Sequence, residues 1–368
     1  MVKHSKDQHA KKASIRSAKR TIAQQWIGVD LGDRWSEVCL LDGTDADRTR
    51  VRTTPGHFRA YFAQFAGAAV ALETGTHSGW ASRVLSECGL AVTVANAREV
   101  RKIHQSHRKN DRNDAQTLAR MLRFDRELLS PVEHRSPQMQ ADIAILRARD
   151  VAVRARTMQI NAVRGLVKAH GDRLPACGAD SFAGRVLEQL PPALKPALLP
   201  LVQAIADLTK RIRGYDRLVK VTADERYPET ALLTQVTGVG PVTSLAFVLT
   251  IGAKDRFCRS RDVGPYLGLV PRQYDSGAHQ SQLPISKAGN KYLRRLLVQS
   301  AHYILGPFGP DCRLRAYGER LAQRGGKNAK KRAVVAVARK LAVLLHHLWT
   351  TGARYDPAYG ANFAPLAA

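Results

Sequence analysis

The chain has 368 residues, room for two or three domains, and carries 58 Lys and Arg against 31 Asp and Glu, a formal charge of +27. Such an excess argues against a purely metabolic enzyme and for a polyanionic partner, nucleic acid first. No window is expected to span a membrane, because the most apolar late stretch, Ala333 to Trp349, is interrupted by Arg339, Lys340, His346 and His347.

Residues 1–24 are basic and polar and lack the apolar run of a signal peptide. They read as a disordered arm, and such an arm is suited to lying on phosphates. The five cysteines, Cys39, Cys88, Cys177, Cys258 and Cys312, are scattered and contain no C-x-x-C pair. They support neither a disulfide framework nor a zinc site, which points to a reducing, cytoplasmic setting.

From Gln25 the pattern predicts strands at Trp26 to Asp30, Glu37 to Asp42 and Arg48 to Thr53. A helix over His57 to Phe65, a buried strand AVALE (Ala69 to Glu73), a helix near Trp80 to Cys88 and a strand LAVTV (Leu90 to Val94) follow. Three paired strands and then helix–strand alternation describe an α/β domain of the ribonuclease-H or RuvC kind. Between Pro137 and Gly171, Met139, Ile143, Leu146, Val153, Ile160 and Val167 fall on a three-and-four spacing. Leu198, Leu201, Ile205, Leu208, Ile212, Tyr215 and Val219 repeat it. Two such seams around a Gly/Pro-rich reversal predict a helical hairpin or coiled-coil arm, serving either an intramolecular bundle or dimerisation.

The acids are placed suggestively. Asp30 ends the first strand, Glu73 ends the fourth, and Asp111 and Asp114 open a helix. Magnesium-dependent phosphodiester chemistry needs hard oxygen ligands close together, and the ends of neighbouring strands can supply them. A spacing of i, i+3 adds two carboxylates on one helix face. Turn and capping roles compete for these residues. The metal reading is preferred because Asp111 and Asp114 continue the stripe of Ala115, Leu118 and Leu122, which should pack on the sheet. The GVDLG turn also occurs in actin-like and sugar-kinase ATPases, but their further glycine-rich nucleotide loops do not follow here.

Downstream, Gly238 and Gly240 in TGVGP lie between two apolar helices and look like a helix-hairpin-helix turn, whose backbone N–H groups can hold a DNA phosphate; a plain tight turn explains them equally. Ser276 in YDSG stands among Arg272, His279, Lys287, Lys291, Arg294 and Arg295. Cations of that kind stabilise charge when a serine attacks a phosphate.

The order GVDLG, ALETG, KNDRNDAQTLARML, TGVGPVTS, PRQYDSG and ISKAGNKYLRR resembles the DEDD transposases of bacterial insertion sequences, a family that includes the pilin-gene invertases and whose transposases are described as bridge-RNA-guided recombinases. The match runs from about Trp26 to Leu297, with the coiled-coil middle matched in character only. The resemblance implies a RuvC-like domain with the DEDD set at Asp30, Glu73, Asp111 and Asp114 binding Mg2+. It further implies a serine, matched by Ser276, that becomes covalently linked to DNA, although Ser281 and Ser286 stand close by. Dimers assembling to tetramers, a guide RNA, and donor and target DNA are implied partners. The expected organisation is an arm (1–24), a RuvC-like DEDD domain (25–130), a coiled-coil helical segment (131–225), a serine-containing transposase domain (226–310), mainly helical, and a C-terminal helical tail (311–368).

The reading that follows is a DNA transposase working through a phosphoserine intermediate, with no membrane role. A RuvC-like Holliday-junction nuclease and a non-catalytic nucleic-acid scaffold are the alternatives. A denaturant-resistant protein–DNA adduct separates the first from the other two.

Overall fold

The computed structural model describes residues 25–43, 45–97, 99, 111–273, 275–276, 279–280 and 283–357, so the expected 1–24 arm and Ser281 lie outside the described residues. The chain divides into two compact units, residues 1–135 and 136–368.

The first unit is built on five strands: β1 (Trp26–Asp30), β2 (Trp35–Asp42), β3 (Asp45–Arg52), β4 (Ala69–Glu73) and β5 (Ala91–Ala95), in the order β3-β2-β1-β4-β5. The first three are antiparallel neighbours, and β4 and β5 run parallel to β1. Alternation along each strand sorts side chains onto two faces. Ile27, Val29, Val38, Val51, Val70, Leu72 and Val94 form one face with Phe58 and Phe62 of helix α1 (Pro55–Phe62) and with Ala81, Val84 and Leu85 of α2 (Ser78–Glu87). The other face is made of smaller residues. There Cys39, Leu41, Ala71 and Ala95 meet Ala115, Leu118, Ala119 and Leu122 of α3 (Asp111–Phe124).

The second unit begins with α4 (Pro137–Ala169), of 33 residues, and α6 (Lys195–Arg226), of 32, joined through the short α5 (Phe182–Val186). Their side-chain pairs fix them as an antiparallel hairpin. Arg226 donates to Asp142 at 2.7 Å, Arg149 to Asp216 at 2.6 Å and Arg156 to Thr209 at 3.2 Å. The seam of α6 differs from the expected one. Val202 and Thr209 are buried where Leu201 and Leu208 were expected, and the latter two are half-buried. The reason is polar: the hydroxyl of Thr209 accepts from the buried Arg156 guanidinium, so a residue the apolar pattern passes over occupies the seam.

Beyond the hairpin come α7 (Thr230–Thr234), α8 (Pro241–Ile251), α9 (Val263–Tyr266), the two-stranded ribbon β6 (Asp275–Ser276) and β7 (His279–Gln280), α10 (Lys291–Leu305), α11 (Arg313–Gln323) and α12 (Ala329–Thr351). One apolar core joins Val219 and Ala223 of α6 to Leu245, Phe247 and Val248 of α8, Leu293, Leu297 and Ala301 of α10, and Val337, Leu341 and Leu345 of α12. Against the expectation from its interrupting charges, α12 is long and apolar enough to cross a membrane by length and composition alone; 67% of its apolar window is buried inside the protein.

Candidate active site

The acid-bearing end of the sheet is set by register. Val29 of β1 pairs with Leu72 of β4, so Asp30 and Glu73 end two adjacent parallel strands level with each other. Both lie on the face that carries Gly28 and Ala71, the face covered by α3. Helix α3 runs antiparallel to β1: the Arg123 guanidinium stands 5.0 Å from the Trp26 ring centroid, while Gly28 faces Ala115 and Ala119. Continuing that register, Asp30 lies about 7 Å beyond Gly28 along the strand, and Asp111 about 6 Å beyond Ala115 along the helix. The start of α3, with Asp111 and Asp114, is therefore at the carboxylate end of β1 and β4. Asp30, Glu73 and Asp114 are half-buried.

A residue unremarked in the sequence joins this row. Glu37 of β2 is the antiparallel partner of Asp30, and Arg50 of β3 is the partner of Glu37. The two form an ion pair at 2.8 Å, with Glu37 only 14% exposed. From one edge of the sheet to the other the row reads Arg50, Glu37, Asp30, Glu73, Ala95 on one sheet face. Only the strand alternation through a four-residue hairpin turn could have signalled it.

Carboxylates ending neighbouring strands are the hard-oxygen donors a divalent cation takes, so Asp30 and Glu73 fit such an ion chemically. Among the described residues no group of three or more His, Cys, Asp or Glu stands ready to hold a metal, and the side chain of Asp111 is not among those described.

The second predicted cluster lies in the other unit. Ser276 sits in β6, paired with His279 of β7. The segment following the ribbon folds back on the residues just after α9: Ser286 N–H donates to the Val270 carbonyl at 2.8 Å and Lys287 N–H to that of Gly268 at 3.2 Å. Asn290 caps α10 by accepting from Tyr292 and Leu293 N–H at 2.9 and 3.0 Å, which is what the KAGN motif does locally. Arg272, Lys287, Lys291 and Arg295 are exposed. Arg294 donates to the carbonyls of Leu267 and Ala288 at 2.8 and 2.5 Å, and Arg295 pairs with Asp150 of α4. Arg294 thus holds this segment in place, and Arg295 ties α10 to α4.

Gly238 adopts φ +89° in the turn between α7 and α8, and Gly240 caps α8 without a side-chain bond. They open on a groove of 430 Å3 lined also by Thr243, Gln299 and Tyr303.

Residues 27–171 match the model of a DEDD transposase, and residues 230–314 match that of the IS116/IS110/IS902 transposase family. A "Probable family 20 transposase" of Pseudomonas aeruginosa is 30% identical over 344 residues, which is 90% of this chain and 98% of that one. The chain belongs to the IS116/IS110/IS902 transposase family. The transposase of insertion element IS1111A from Coxiella burnetii is similar too, 28% identical over 342 residues and covering 89% of this chain and 90% of its own. A pilin gene-inverting protein of Moraxella lacunata is 29% identical over 126 residues, 34% of this transposase and 38% of that protein. A DEDD transposase domain implies a RuvC-like fold for the first unit and use of a divalent metal, in keeping with its mixed sheet and its acid row.

Proposed function

We propose that this transposase cuts and rejoins DNA strands through a covalent phosphoserine intermediate. The observation that carries the reading is the level placement of Asp30 and Glu73 at the strand ends, with α3 opening at the same end. Asp30, Glu73, Asp111 and Asp114 would hold magnesium, which supplies Lewis-acid stabilisation of negative charge on phosphate oxygens.

Ser276 is the nucleophile in this reading. Its Oγ loses a proton and bonds to phosphorus, and the bond from phosphorus to a deoxyribose oxygen breaks, with a proton going to that oxygen. The reverse step, with an incoming deoxyribose hydroxyl, releases the serine and rejoins the strand. Because the phosphodiester's energy is kept in the protein–DNA bond, no high-energy cofactor is consumed. Arg272, Lys287 and Lys291 stabilise the phosphate charge, Arg294 anchors the segment that presents them, and Arg295 ties α10 to α4. The turn at Gly238 and Gly240, which caps α8 without a side-chain bond and is read as a helix-hairpin-helix element, holds a phosphate without reading sequence. The charge of +27 suits a second polyanion, a non-coding guide RNA, beside donor and target DNA. The hairpin of α4 and α6 is the segment through which dimers and then tetramers form.

The test is to trap a denaturant-resistant protein–DNA adduct on donor DNA. Ser276→Ala should abolish adduct and recombined product while leaving nucleic-acid binding unchanged, and Ser281→Ala and Ser286→Ala should keep the adduct. Metal-dependent nicking by the wild type with no adduct would select a RuvC-like nuclease instead.

A further inference from the structure

The edge of the first unit carries a groove that meets the acid row only at Arg50. Its volume is 430 Å3, and Trp35, Arg50 and Arg52 of β2 and β3 face His57, Tyr61 and Gln64 of the α1 region across it. Trp35 is 43% exposed although two guanidinium groups already stand over it, at 5.6 Å for Arg50 and 5.2 Å for Arg52. Burial would remove a large apolar ring from water, so keeping this one at the surface forgoes a favourable term. The surrounding charge is positive. Arg50 and Arg52 are exposed, and the Arg50 charge is shared with Glu37 at 2.8 Å.

An indole that stays 43% exposed with two guanidinium groups over its ring offers its remaining open surface to a planar ring that carries a phosphate. A base inside a duplex has both faces covered by its neighbours in the stack, whereas an unpaired nucleotide can lay its base on the indole. Position supports the same occupant. Trp35 pairs with Arg52 two residues from the Glu37–Arg50 pair, at the end of the sheet where Asp30 lies. A strand held there runs beside the acid row. We propose that this groove binds an unpaired nucleotide of a nucleic-acid strand, its base stacked on Trp35 and its phosphate on Arg52. The proposal stands whether or not Asp30 and Ser276 perform the chemistry given above, and its test reads binding alone.

Full-length protein is titrated into labelled oligothymidylate and oligouridylate of about ten nucleotides, a length suited to one single-strand site. Trp35→Ala should weaken binding to one or both strands by about tenfold, in line with the usual loss of one base–aromatic stack. Trp35→Phe should recover most of that loss. Arg52→Ala should also weaken binding and lower the log–log salt slope by about one. An abasic strand of the same length should bind Trp35→Ala and wild type equally, since it keeps the phosphates and lacks the bases. A loss confined to the DNA strand or to the RNA strand identifies the occupant, and a loss in both means that the groove ignores the 2′-hydroxyl. Wild-type affinity of Trp35→Ala and Arg52→Ala for both strands would overturn the proposal, as would a Trp35→Ala loss that is the same for the abasic strand.

Discussion

A Cβ added to Gly28 would fall 1.9 Å from the carbonyl oxygen of Ala115, and 2.7 Å from the backbone nitrogen of Ala119. Strand and helix are therefore in backbone contact, and this contact levels the start of α3 with the ends of β1 and β4. Gly28→Ala must push α3 off the sheet. Overpacking against backbone is expected to destabilise the first unit by about 3 kcal/mol. Thermal unfolding measures the loss, and recombination should fall with it. A variant as stable as wild type would show that α3 does not rest on β1.

Asp30→Asn and Asp114→Asn keep side-chain size and remove charge. Recombination is expected to fall by at least a hundredfold in either, a drop of about 2.7 kcal/mol or more in transition-state stabilisation, with an unchanged circular dichroism spectrum. Wild-type rates in either variant would take that residue out of the site.

The base of the helical hairpin rests on Asp142, which is 1% exposed and accepts from Arg226 at 2.7 Å, Tyr227 at 2.8 Å and Gln138 at 3.2 Å. Burial first, and then the bond to Asp142, raise the Tyr227 hydroxyl far above its ordinary pKa, so it remains a donor. Arg226→Ala leaves a buried carboxylate with its main cation gone and should cost about 3 kcal/mol, the lower end for breaking a buried pair because two donors remain. Denaturant midpoints at constant slope report this value.

His346 of α12 is buried, its Nδ1 is 2.9 Å from the Ser260 hydroxyl, and its ring meets Phe257 edge-on. Burial lowers its pKa from the ordinary 6.5, more than a Lys254 backbone contact raises it. Above 6.5 the ring is neutral folded and unfolded, and pH has no effect through it. As pH falls through 6.5 the unfolded chain takes a proton that the folded chain refuses, so stability drops until the folded value is passed. Melting temperature should fall more steeply in wild type than in His346→Gln from about pH 7.5 to about pH 5.5. Parallel curves would contradict this.

Strands β1 and β4 were legible to the residue because both are short apolar runs buried on two faces. Strands β2 and β3 extend past their expected starts, since Trp35 and Asp45 to Asp47 are held by cross-strand pairing on an edge, which apolar patterning does not register. The acids at strand and helix ends could be read from order alone. Their common level could not, because it depends on β1–β4 register and on the contact at Gly28, a residue that looked like part of a turn motif. Glu37 escaped notice for the same reason: its neighbour Asp30 is seven positions away in the chain but directly opposite in the ladder.

The central position of α12 has a consequence for how the molecule comes into being. Its Val337, Leu341 and Leu345 complete the core that α8 and α10 begin, and they arrive last. The roughly hundred residues between Ile251 and Thr351 take about 5–20 s to synthesise. Throughout that interval the apolar face of α8 waits without α12, and α10, once made, waits for the later part of it, whereas the first unit already has every strand and helix it needs. Folding of the nascent chain is thus staged, and the serine-bearing unit closes only when α12 docks.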